Sequence, residues 1–381
     1  MNFTRQITLF SLSAALVACG GGKDNDDNNN NDGMPVFMDA SVQADAPAPD
    51  IDAPIDGPEL PEGCDFAELA DATNDNILNM AGVPEATGLS FSAATTTVCG
   101  AVNTGHFDDM NQVVDIDTFT ISVAANSRVL LTMQGAGIET LGEVNVFIDG
   151  EDSSITAPVY GNQAVANGSL AAGEYTITVL AFNPTAPAAD VSYKVKIVPD
   201  DPDTRCATAT AAADFTEAND GANNTGNDMV DVRFSGDAAT RRVLTAAVDS
   251  AEPTGLTMAS GTTYRLSGSS ANVDAADEYH DRDSYFFTTG PTTDQLSVRI
   301  NWTNVADFDF MLFPATSVSE GMIPEVASGT LIGQDGAVGE FATFPVKPNT
   351  SYWLWLGSYD DANVILPATY DVTVCAEAFV P

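Results

Sequence analysis

Apolar residues recur at every second position over long stretches of this chain. Val129, Leu131 and Met133 alternate with Leu130, Thr132 and Gln134, and Val144, Val146 and Ile148 with Asn145, Phe147 and Asp149. Leu296, Val298 and Ile300 form a later series, as do Phe308, Phe310 and Leu312. A period of two puts one set of side chains on each face of a strand. Gly, Asn, Asp and Pro bound these runs at close spacing, so the pattern predicts antiparallel β-sandwiches of the jelly-roll or Ig-like kind. Helical periodicity is scarce. Short helices are expected only between Cys64 and Met80 and between Thr208 and Asp214.

The pattern also repeats. Thr87-Gly88-Leu89-Ser90-Phe91 returns as Thr254-Gly255-Leu256-Thr257-Met258, and Asp115-Ile116-Asp117-Thr118-Phe119 as Asp281-Arg282-Asp283-Ser284-Tyr285. Tyr175 to Val179 matches Tyr352 to Leu356, and Tyr193-Lys194-Val195 matches Tyr370-Asp371-Val372. The matches keep their order, which implies one design used twice. Two tandem all-β domains are expected, 64–200 and 205–381, separated by an acidic, Pro-containing hinge from Pro199 to Thr204.

The N-terminal region reads differently. Ile7 to Val17 is an apolar run of 11 residues behind a single basic residue, Arg5. A membrane span needs about 20, so residues 1–18 read as a secretory signal peptide. Leu16-Val17-Ala18-Cys19 resembles the lipobox of bacterial lipoproteins. That resemblance implies a diacylglycerol on Cys19 and a membrane anchor. With Gly20 following, it implies the outer membrane as the destination, with the side unresolved. Residues 19–63 are rich in Asp, Asn, Ala and Pro and lack hydrophobic periodicity, so they are expected to be a disordered acidic tether.

Four further cysteines, Cys64, Cys99, Cys206 and Cys375, suit an oxidising compartment. Three pairings are possible. Cys64–Cys99 with Cys206–Cys375 is favoured because each bridge then stays within one copy. The net charge of −41 repels nucleic acid and suits cations or basic partners.

Glu217-Ala218-Asn219-Asp220, then Asp281 to Tyr285, then Thr350-Ser351-Tyr352 resemble the opening Glu-x-Asn-Asp, the Asp-x-Asp-x-aromatic strand and the closing Tyr strand of the pre-peptidase C-terminal domain. The first copy supplies Asn74-Asp75, Asp115 to Phe119 and Gly173-Glu174-Tyr175, but no Glu two residues before Asn74. The resemblance implies a β-sandwich with a binding or accessory role. It also implies a Ca²⁺ site at Glu217, Asn219, Asp220, Asp281 and Asp283, and a weaker or empty one at Asn74, Asp75, Asp115 and Asp117. Carboxylate and amide oxygens are the ligands Ca²⁺ takes; a solvated acidic loop is the other reading.

Trp353 and Trp355 align with Thr176 and Thr178 on the outer face of their strand. They could stack on a carbohydrate or protein ligand, or lie as core beneath an insert bearing Val230, Val232 and Phe234, which is the preferred reading. His106 and His280 occupy no His-Glu-x-x-His, and no Gly-x-Ser-x-Gly is present. The chain is therefore expected to be a non-enzymatic, lipid-anchored binding or surface-structural protein of unknown ligand. The alternative is a secreted hydrolase or an accessory subunit of a secreted peptidase.

Overall fold

The computed structural model describes residues 60–68, 84–102, 107–108, 111–112, 115–141, 143–151, 153–182, 191–217, 252–270, 279–303, 308–315, 327–328, 330–331, 339–359 and 367–379. Cys19, Asn74, Asp75, His106, Asn219, Asp220, Val230, Val232 and Phe234 lie outside them, as do the side chains of Asp115, His280 and Asp281. The described residues of both copies belong to one compact body.

The described residues are mostly strands. The first half contains β1 (Phe66–Ala67), β2 (Glu85–Phe91), β3 (Thr96–Val102), β4 (Phe107–Asp108), β5 (Asn111–Gln112), β6 (Asp115–Val123), β7 (Ser127–Gln134), β8 (Glu143–Gly150), β9 (Ser154–Tyr160), β10 (Gln163–Leu170), β11 (Gly173–Phe182) and β12 (Val191–Pro199). A short helix, α1 (Pro202–Arg205), leads to β13 (Phe215–Thr216), β14 (Glu252–Met258), β15 (Thr262–Ser270), β16 (Tyr279–Thr289), β17 (Gln295–Trp302) and β18 (Phe308–Pro314). There follow β19 (Ala327–Ser328), β20 (Thr330–Leu331), β21 (Gly339–Pro345), β22 (Ser351–Tyr359) and β23 (Ala368–Glu377).

The first half forms one ten-stranded sheet in the order β1-β3-β12-β7-β10-β9-β8-β11-β6-β2. It folds on itself at β9, which pairs with β8 along Ser154 to Pro158 and with β10 at Val159 and Tyr160. The second half gives β13-β15-β23-β17-β21-β20 and β14-β16-β22-β18-β19. Strand for strand this is the same order, with β9 replaced by the short pieces β19 and β20. The repeated Thr-Gly-Leu falls where β2 and β14 shift register against β6 and β16. Gly88 and Gly255 supply the positive φ there, 67° and 68°, which glycine adopts without steric cost. The hydroxyls of Thr87 and Thr254 bond the neighbouring carbonyls of Thr120 and Phe286.

The alternating apolar series point inward. Val129, Leu131, Met133, Val146, Ile148, Leu296, Val298, Ile300, Phe308 and Phe310 are all fully buried. Each contributes about 1.5–3 kcal/mol by leaving water. The structure joins Cys64 to Cys99 and Cys206 to Cys375, so each bridge stays within one half.

Two local expectations are corrected. Thr208 to Asp214 is irregular, not helical. Side chains of β23 and β15 hold its backbone instead: the Ala209 N–H donates to Thr373 Oγ1, and the Ala211 carbonyl accepts from Arg265. The hinge is also not a free one. Arg205 holds Asp200 through two bonds of 2.8 and 3.0 Å, donates to Thr343 Oγ1 at 2.9 Å and to the Ser297 hydroxyl, and lies 5.3 Å over the Phe341 ring. Arg299 stands 5.1 Å from the same ring. This clamp fastens the connecting segment to the outer face of β17 and β21.

β10 of the first half adjoins β21. Asn167 Oδ1 accepts from the Thr343 N–H at 2.8 Å, the Gln163 amide donates to the Asp294 carbonyl, and Tyr160 packs edge-on to Tyr352 at 6.5 Å. The seam between the halves thus combines hydrogen bonds with an aromatic contact. Arg205→Ala should destabilise by about 2–3 kcal/mol, because several partners of a charged group are lost at once. Arg128→Ala, which breaks only the exposed pair with Asp203, should cost less than about 1 kcal/mol. Urea unfolding of both variants checks this; equal, small losses would mean the clamp contributes nothing.

Candidate functional site

Each half begins with the same four-residue device. Asp65-Phe66-Ala67-Glu68 and Asp214-Phe215-Thr216-Glu217 run parallel to the following strand, Phe66 beside Val98 and Phe215 beside Leu266. The leading Asp accepts a backbone N–H in both: Thr97 to Asp65 Oδ2 at 2.8 Å, and Arg265 to Asp214 Oδ2 at 2.8 Å. The Phe packs edge-on to an aromatic of the opposite sheet, Phe66 on Phe119 at 6.1 Å and Phe215 on Tyr285 at 5.9 Å. The Glu then turns inward. Glu68 Oε2 accepts from the Ala101 N–H at 2.9 Å, and Glu217 Oε2 from the Ser269 N–H at 3.0 Å.

A glycine makes room for it. A Cβ on Gly100 would lie 2.4 Å from the Tyr193 hydroxyl and 2.9 Å from Glu68 Oε2. A Cβ on Gly268 would lie 2.4 Å from the Tyr370 hydroxyl and 2.6 Å from both Glu217 Oε2 and the Tyr285 hydroxyl. Those tyrosines come from the last strand of each half and reach a carboxylate of the other sheet. Tyr193 donates to Asp117 Oδ2 at 2.8 Å, and Tyr370 donates to Asp283 Oδ2. With its proton so engaged, Tyr370 accepts from Tyr285, 2.5 Å away. The first half has Phe119 at the Tyr285 position, which brings no hydroxyl there.

The acids are deeply buried: Asp117 is 0% exposed, Asp283 2% and Glu217 6%. A carboxylate there is tolerated only with donors around it. Burial, then the charges of Asp283 and Glu217, hold the Tyr285 hydroxyl far above the usual phenol range; Glu252 adds to this. Burial, then Asp283, does the same to Tyr370.

Two sequence expectations change on this geometry, and the preferred reading of the two tryptophans as buried is met. The first copy does carry the opening Glu: Glu68 holds the place of Glu217, further from Asn74 than the two residues of the motif, while Asn74 and Asp75 themselves lie outside the described residues. Asp-Phe-x-Glu, repeated at 65 and 214, is the signal that identifies it. Asp117 and Asp283 are not in a solvated loop but inside the sandwich. Trp353 and Trp355 are both 0% exposed, so neither ring presents a stacking face to a ligand. Of the residues expected to hold calcium, Glu217 and Asp283 meet at Tyr370. Among the described residues no group of three or more His, Cys, Asp or Glu is placed to hold a metal ion.

No family model matches the sequence, and no curated protein matches it. Among solved structures, the pre-peptidase C-terminal domain of collagenase from Bacillus anthracis aligns over 30% of this chain and 96% of its own, at 17% identity and a TM-score of 0.22. The CUB1-EGF-CUB2 domains of rat MASP-1 align over 76% of this chain and 99% of theirs, at 9% identity and a TM-score of 0.18. At such TM-scores neither likeness carries an argument about function.

The raised tyrosines make a prediction with a definite sign. An unfolded tyrosine releases its proton near pH 10, whereas Tyr285 keeps it in the folded state. Stability from this source is complete below pH 10 and falls as pH rises above it. Tyr285→Phe, which copies the first half, should therefore lose about 1.4 kcal/mol less than the wild type between pH 9 and pH 11. Urea midpoints at the two pH values decide; parallel losses would remove Tyr285 from the network.

Proposed function

We propose that this chain is an exported, lipid-anchored binding or surface-structural protein rather than a catalyst. One observation carries the reading. The half-buried Glu68 and the buried Asp117, Glu217 and Asp283 accept bonds from backbone N–H groups and tyrosines of the surrounding strands. They hold the sandwich together at the points where acid–base chemistry would otherwise be sought. The disulfides suit an oxidising compartment, and the Cys19 lipobox with the tether supplies the anchor.

Calcium is the ion this arrangement would take. The residue chemistry fits: the negative charges of Glu217, Glu252 and Asp283 all bear on Tyr285, and a divalent cation would relieve their mutual repulsion. Glu217 and Asp283, with Asn219, Asp220 and Asp281, would supply the oxygens. In the first half Glu68, Asp115 and Asp117 are the counterparts.

Cys19→Ala should move the protein from the membrane fraction to the soluble one; a variant that still pellets after a carbonate wash would contradict the anchor. Millimolar Ca²⁺ should raise the melting temperature of the whole chain beyond the effect of NaCl at matched ionic strength. Asp220→Ala, which alters neither Asp283 nor Tyr370, should lose that gain. A Ca²⁺ response no larger than that to salt would mean general screening.

A further inference from the structure

The chain has four lysines, and two of them, Lys194 and Lys196, lie on β12. Tyr193, Val195 and Ile197 of this strand fill the core, so Lys194 and Lys196 project from the opposite, outer face. Across β7 their partners are Gln134 and Thr132. Phe379, from the segment after β23, closes the other side, its N–H donating to Asp294 Oδ1. These five residues line a cleft of about 240 Å³ where the two halves adjoin.

The cleft is electrostatically out of character with the chain. Among the described residues, Arg128, Arg205, Arg265, Arg299 and Lys347 each pair with a carboxylate. Lys194 donates instead to a backbone carbonyl, that of Glu62, at 2.6 Å. Lys196 is half-buried and has no carboxylate partner among the described residues. In a protein with 54 acids against 13 bases, the two lysines that have no carboxylate partner among the described residues share one concavity.

We propose that this cleft binds an extended acidic peptide, seating two carboxylates that are two residues apart. Alternate positions on a strand lie about 7 Å apart, so an extended peptide repeats at the spacing of Lys194 and Lys196. The Thr132 hydroxyl and the Gln134 amide supply further bonds to carboxylate oxygens. Phe379 gives an apolar wall for the intervening residue. The volume admits side chains rather than a run of sugar rings. The proposal goes beyond the anchored-module reading and depends on neither the lipid nor calcium.

The test uses the full chain in detergent and a rhodamine-labelled, capped alanine heptapeptide carrying aspartate at its third and fifth positions. Fluorescence anisotropy should show saturable binding. Lys196→Gln should weaken it by about tenfold or more, as expected for losing a charged hydrogen bond. The same peptide with asparagine for aspartate should weaken comparably. Arg128→Gln, a cation outside the cleft, should leave the affinity within about twofold. Absence of saturable binding, or binding unchanged in Lys196→Gln, overturns the proposal. Tighter binding of tetragalacturonate than of the peptide, lost in Lys196→Gln, overturns the peptide as the ligand class.

Discussion

A carboxylate seated against a strand glycine, with a tyrosine hydroxyl beside it, is the constraint from which the rest of each half follows. Glu68 and Glu217 enter from the opening segment, Tyr193 and Tyr370 from the last strand, and Asp117 and Asp283 from the opposite sheet. Three distant stretches of chain are thereby fixed at one point, and the two sheets are tied through hydrogen bonds as well as by apolar packing. Such a group is costly to bury and becomes favourable only when its donors are all in place. That requirement explains why no side chain is admitted at Gly100 and Gly268. It also explains why the leading Asp of each segment is bonded to the backbone of the strand beside it, which holds the Glu in register. In the first half the Cys64–Cys99 bridge pins the same strand one residue before Gly100.

The two halves differ in how they use this plan. The second extends the tyrosine network by one residue, Tyr285, and gains a second buried phenol. It also takes the connecting segment onto its own surface, where Arg205 and Arg299 both lie over Phe341 and the Cys206–Cys375 bridge packs beneath the same ring. The first half meets the backbone of β21 and of the turn before β17 with Asn167 and Gln163, polar residues on the same face of β10. A seam of this kind discriminates by hydrogen-bond geometry more than by burial, which accords with two sandwiches of similar core meeting on one defined pair of faces.

Much of this was legible in the sequence. Alternation of Val129, Leu131 and Met133 showed which face was core, since burial on one side of a strand leaves that trace directly. The recurrence of Thr-Gly-Leu and of Asp-x-Asp-x-aromatic located equivalent strands, because a bulge needs glycine and a buried site needs its acid. Asn-Asp does not mark Glu68, because the feature held constant by the fold is Asp-Phe-x-Glu. The burial of Trp353 and Trp355 could not be read from alternation, which separates two faces without saying what lies over the outer one. The clamp at Arg205 joins residues more than a hundred positions apart, and local pattern carries no record of such a meeting.

The central claim is that the interior of each half is organised around its carboxylate and glycine. It is tested most directly by adding a single methyl group at the two glycines and measuring unfolding free energies. Gly100→Ala and Gly268→Ala should each destabilise by about 2 kcal/mol or more, since the new carbon must displace a tyrosine hydroxyl and a carboxylate oxygen from their bonds. Gly173→Ala, where nothing stands within 4 Å of the added carbon, should change stability by less than about 0.5 kcal/mol. Near-neutral effects at Gly100 and Gly268 would contradict the account.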